Sequence, residues 1–168
     1  MSNTLPTGAQ RSLTSGEWSA LSAGLADALR AAKAQPVIIA RPSLPARLAR
    51  LLRGSIPVMV LGRRIFWPGA LEDFSGPWNG RAMAVLQHEL QHVLEFATGE
   101  LGVVRYALWP PNWLYSYELG PNARWKDFGA EQRASIVEHL WLIEHGHMVD
   151  ADGGARHRRV IPWAQSSS

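Results

Sequence analysis

Residues 88–92 read His-Glu-Leu-Gln-His within the stretch AVLQHELQHVLEF, and no other five residues constrain this chain as tightly. Val85, Leu86, Leu90, Val93 and Leu94 surround the pentad at helical spacing, so it sits in the middle of an amphipathic helix. Two imidazoles four apart on a helix differ by ~40° around the axis and ~6 Å along it, so both can reach one ion. With 6 His and 9 Glu among 168 residues, independent placement gives this pentad about 0.01 times. The fold must therefore bury such a helix on its apolar side and bring a further ligand to its polar one.

The absence of cysteine narrows the metal chemistry. Any zinc here must sit on histidine and carboxylate, with no thiolate ligand and no disulfide staple. His88 and His92 are the first two ligand candidates. Glu89, directly after the first histidine, has the position of a general base acting on a water at the ion.

A catalytic zinc takes three protein ligands and keeps one position open. The third is sought in the last strongly helical segment, GAEQRASIVEHLWLIEHGH. Glu131 lies in its first turn, with the small Ala134 one turn later allowing close helix approach; Glu138, two turns on, is its rival. A carboxylate in a first turn also suits the helix dipole with no metal at all. His145 and His147, with His139 nearby, could hold a second ion, but a solvated charge at a helix C-terminus is the favoured reading. Glu95 and Glu100 are read as surface residues. Tyr115 and Tyr117 lie between the two metal-bearing helices, where a phenol could stabilise a tetrahedral intermediate; Tyr117 is preferred.

The rest of the chain reads as one domain over residues 13–163, with polar flexible ends at 1–12 and 164–168. A helix is expected from Gly16 to Lys33, a strand over Pro36–Ala40, and a short helix from Ser43 to Gly54. Ile56–Leu61 and Arg64–Trp67 form a hairpin across Gly62-Arg63. The metal helix then runs from Asn79 to Thr98, stopped by Gly99, and the last helix from Gly129 to His145. An irregular aromatic connection separates them.

Composition excludes several classes. The 46% hydrophobic and 18% charged residues suit a globular core. A net charge of +3, with arginines dispersed as Arg41, Arg47, Arg50, Arg53 and Arg156, Arg158, Arg159, is too sparse for a nucleic-acid partner. No apolar run approaches the ~20 residues of a membrane span. The opening MSNTLPTGAQ lacks the basic start and apolar run of a secretory signal, so a cytoplasmic location, or export without a visible signal peptide, is expected.

The segments RIFWPG, AVLQHELQHVLEF, YSYELG and DFGAEQRASIVEHLW, with the opening LTSGEW, together resemble the small bacterial zincin-like proteins termed Vgr-related. They are more distantly similar to the metallopeptidase-like domain found with extracellular contractile injection systems. The resemblance touches Leu13 to Trp141. It implies an α+β fold of minimal gluzincin type, in which a small sheet with a β-hairpin packs against the HExxH helix and a C-terminal helix supplies a glutamate. That glutamate, in the family's E-x-x-A pattern, falls on Glu131. The strand before the metal helix, Arg64–Trp67, would be an edge strand that pairs with an extended peptide or protein substrate. One departure stands out: many gluzincins carry an acid four residues after the glutamate to orient the first histidine, and here that position is Ser135.

The expected protein is thus a zinc metallopeptidase, with His88, His92 and Glu131 on Zn2+, Glu89 as base and Tyr117 as oxyanion partner. The alternative is a non-catalytic, zinc-stabilised binding or assembly module, a component of a secretion or injection system.

Overall fold

A computed structural model describes residues 3–43, 57–102 and 114–165. The expected helix over residues 44–54 lies outside the described residues, as do Ile56 and the core of the aromatic connection. The described chain is α+β: four short strands in one mixed sheet and five α-helices.

Strand β1 (Gln10–Ser12) falls in the segment expected to fray, yet it pairs antiparallel with β2 (Val37–Ile39). Arg11 explains the difference. Its guanidinium holds Glu17 in a two-pronged ion pair at 2.6 and 2.7 Å and also donates to the Leu71 carbonyl. Glu17 is fully buried, and its carboxylate also accepts the backbone N–H groups of Thr14 and Phe74. A polar N-terminal segment is thus anchored by charge rather than by apolar burial, which hydrophobic pattern cannot reveal.

Helix α1 (Ser15–Ala20) opens on a Thr14–Glu17 capping box, one residue earlier than expected. It does not continue into α2 (Ala23–Ala31), because Leu21 is extended. The backbone groups freed at the break find tertiary partners. The Trp141 indole donates to the Ala20 carbonyl, and the Ser22 N–H donates to Gln87 Oε1. Side chains from distant helices thus satisfy the break, and local periodicity carries no trace of them.

The hairpin forms as expected, with β3 (Met59–Leu61) and β4 (Arg64–Phe66) joined through Gly62 at φ 60°. Its place in the sheet corrects the sequence reading. The sheet order is β1-β2-β4-β3, so β4 is interior, parallel to β2 on one side and antiparallel to β3 on the other. Ile65 is fully buried, and the Trp67 N–H continues the pairing by donating to Ile39. The apolar Pro36–Ala40 run needed a partner, and β4 supplies it. Arg64–Trp67 has no free backbone edge; among the described residues the edges are β1 and β3.

Helix α3 (Gly80–Thr98) crosses this sheet against β3 and β4, and ends at Gly99 in the left-handed region. Helix α4 (Ala130–Glu144) packs along α3. Leu25, Leu29, Ile38, Ile65, Leu86, Leu90, Ile136 and Leu140 interlock to form the core between helices and sheet. A last short helix, α5 (Ala155–Val160), follows the Asp150–Gly154 turn, where the Gly154 N–H is held by Asp150. No helix among the described residues is long and apolar enough to cross a membrane.

Candidate metal centre

The face of α3 turned toward α4 carries His88, Glu89, Gln91, His92 and Glu95, all buried. Polar residues stay inside only when paired or when serving a ligand. Ala130 and Ala134 are fully buried on α4, so the two helices approach closely where Glu131 enters.

Glu131 lies between the two histidines. Its Oε2 is 3.1 Å from His88 Nε2 and its Oε1 is 3.5 Å from His92 Nε2. One ligand atom from each of the three residues lies within 4.8 Å of the others. Tetrahedral zinc with ligand bonds of ~2.1 Å holds its donors ~3.4 Å apart, and the two histidine–carboxylate distances bracket that spacing. Neutral imidazole and carboxylate are also the donors zinc accepts in a chain without thiols. The donor set therefore fits a metal ion.

Glu138 enters the same site from the next turns of α4. Seven residues after Glu131, it is ~20° away around the helix axis. His88 Nδ1 donates to its carboxylate at 3.0 Å, which leaves Nε2 facing Glu131 and His92. The acid missing at Ser135 is thereby replaced one turn further on.

The electrostatics follow from this crowding. Burial alone would lower the His88 pKa, but hydrogen bonds to Glu131 and Glu138 and the charge of Glu89 raise it from 6.5 to about 10. The two carboxylates thus favour positive charge at His88. The Glu89 carboxyl is pushed upward by burial, against the nearby charges of His88 and His92.

The two tyrosines of the connection have different partners. The Tyr115 ring stacks on His88, with centroids 6.1 Å apart and planes 19° from parallel. The Tyr117 hydroxyl instead lies 2.5 Å from His139 Nδ1 and 3.0 Å from His157 Nε2. Burial lowers the pKa of both imidazoles; with both neutral, the phenol can donate a hydrogen bond to one ring and accept an N–H from the other. Burial and the charges of Glu138 and Asp150 raise the phenol's own pKa. Tyr117 is thus a half-buried link between α4 and α5.

Glu95, expected at the surface, is buried between α3 and α4. Arg133 Nε donates to its Oε1 at 2.8 Å and Gln91 Nε2 donates to the same atom at 3.1 Å. Trp163 Nε1 in turn donates to Gln91 Oε1. The signal was present: Glu95 lies seven residues after His88 and three after His92, on the ligand face of the same helix. His145 and His147 lie outside the centre, exposed and stacked on Trp141 at 3.9 and 5.9 Å. Glu100 is exposed.

No protein family, curated protein or solved structure matches this chain.

Proposed function

We propose that this chain is a zinc-dependent hydrolase of the metallopeptidase type, a minimal gluzincin allied to the Vgr-related proteins. One observation carries the reading: Glu131 from a second helix bridges the two histidines of an HExxH helix at zinc-ligand spacing. When bound, the zinc would supply positive charge to polarise a substrate carbonyl and acidify a water.

The remaining roles belong to the chain. His88, His92 and Glu131 would hold it through their two Nε2 atoms and a carboxylate oxygen. Glu138 retains the Nδ1 proton of His88, which fixes the tautomer that leaves Nε2 free as a donor to metal. Glu89 takes the proton of the attacking water on its carboxylate and returns it to the departing amine nitrogen. Its burial favours that protonated state more than open water would. Tyr115, stacked on His88, is the phenol placed to border the reacting carbonyl. Among the described residues β3 is an edge strand with α3 packed against it, and it is the strand we assign to an extended peptide.

The test is elemental analysis of untagged protein, followed by hydrolysis of a mixed library of internally quenched peptides. One zinc per chain and turnover that disappears in Glu89→Gln support the reading. Absence of zinc overturns it. One zinc with no cleavage by the wild type leaves the zinc-stabilised assembly module instead.

A further inference from the structure

We propose that the cavity at the tip of the β3–β4 hairpin binds a carboxylate attached to a small apolar group. The cavity is independent of the metal centre. Val93 and Ala97 leave α3 ~100–140° around the axis from His92, so it opens on a different side of the helix.

Its chemistry is two-sided. The floor is the buried Val93 with the half-buried Phe96 beside it, the exposed Ala97 lies at its margin, and the rim carries Lys33 and Arg63. Both cationic side chains are exposed, and neither forms an ion pair or side-chain hydrogen bond with the described residues. A volume of about 220 Å3 equals the space of about seven waters, which suits a short acyl chain or a benzyl group. Two unneutralised cations over an apolar floor match an anion bearing an apolar tail better than a neutral or cationic ligand.

The backbone places one of those cations at a cost. Lys33 is the one non-glycine among the described residues with positive φ, at 52°. It ends α2 in the left-handed position where the Ala34 N–H reaches back to the Leu29 carbonyl, a position that glycine fills without strain. A lysine there carries backbone strain that a glycine would not. Arg63 faces it from the hairpin turn beside Gly62, whose own positive φ sets the tip.

Free carboxylates and the C-terminus of a peptide share this chemistry, and the experiment separates them. Uniformly 15N-labelled protein, as purified, is titrated with hexanoate, hexanamide, and the tetrapeptide Ala-Ala-Ala-Phe as acid and as amide. The expected result is saturable shifts at the Gly62, Arg63, Val93 and Phe96 amides with hexanoate and none with hexanamide. Lys33→Gly and Arg63→Gln should each weaken hexanoate about fivefold, the change expected from an exposed ion pair. Lys33→Gly also relieves the strained φ, so its unfolding midpoint should not fall, which separates lost binding from lost fold. Binding of the peptide acid but not its amide identifies a chain terminus as the source; hexanoate without the peptide identifies a free small carboxylate. No saturable shift, equal binding of hexanamide, or wild-type affinity in both variants overturns the proposal.

Discussion

His88 is held between two carboxylates of one helix, Glu131 on Nε2 at 3.1 Å and Glu138 on Nδ1 at 3.0 Å. The first contact occupies the nitrogen that would face a metal; the second fixes which nitrogen that is. Spacing alone made Glu131 and Glu138 rivals for a single role. Seven residues on a helix return to nearly the same face two turns later, so both reach the same imidazole, one on each nitrogen.

Substituting either glutamate should separate those roles. Glu131→Ala removes a ligand and should abolish tight zinc binding in a chelator competition. Glu138→Ala keeps all three ligands and should weaken zinc by about 10–100-fold, the usual effect of losing a histidine's orienting partner. Glu138→Gln, which can still accept from Nδ1, should recover much of that loss. Unchanged affinity in Glu138→Ala would show that the imidazole is oriented by packing, including the Tyr115 stack, rather than by this hydrogen bond.

Glu89→Gln should retain zinc and the wild-type unfolding midpoint, since the amide keeps the size of a buried side chain that is not a ligand. Turnover should fall by about 10²–10⁴-fold, the range contributed by a positioned general base. Tyr117→Phe is the comparison. Its hydroxyl links the half-buried His139 to the buried His157, so its loss should lower stability by about 1–3 kcal/mol by leaving their nitrogens without that partner. The effect on turnover should be smaller than that of Glu89→Gln; equal losses of turnover would return Tyr117 to the centre.

How far the residues alone reveal this molecule depends on whether a partner is near in sequence. The HExxH helix is legible because its two histidines, apolar flanks and Gly99 stop all lie within one element. Glu131 is legible through its first-turn position and Ala134. The interior position of β4 is not, because it depends on the parallel pairing of Ile38 with Ile65 across a long connection. The break between α1 and α2 rests on Trp141 and Gln87, both more than sixty residues away. Helix α5 is only six residues long and arginine-rich, so periodicity could not distinguish it from a solvated tail, although the buried His157 and Val160 attach it to the fold.

The buried pair of Arg133 and Glu95 makes a stability prediction independent of metal. Arg133→Ala leaves the Glu95 carboxylate buried with only Gln91 as a donor to Oε1. Breaking a buried pair from one side costs about 3–5 kcal/mol, because a charge remains without its counterion. Adding Glu95→Gln should recover part of the loss by removing that charge. The measurement is urea unfolding of the two single variants and the double. Additive losses would mean that the ion pair does not couple the two helices.

The last prediction concerns pH in chelator-treated protein. The folded-state pKa of His88 is raised from 6.5 to about 10, so the folded chain holds a proton that the unfolded chain releases earlier. Its contribution to stability is therefore complete below about pH 6.5 and disappears as pH rises through about 10. Glu89 and Glu95, both pushed upward by burial, act in the same direction above their unfolded values. Metal-free protein should accordingly lose stability from pH 6.5 to pH 10, read from urea midpoints in excess chelator. Zinc competes with that proton for His88 Nε2, so zinc affinity should rise over the same interval until the proton is gone. His88→Gln should flatten the part of the stability slope near pH 10. If instead the wild-type midpoint holds level across this range, the two carboxylates do not hold a proton on His88, and the site is open in the absence of metal.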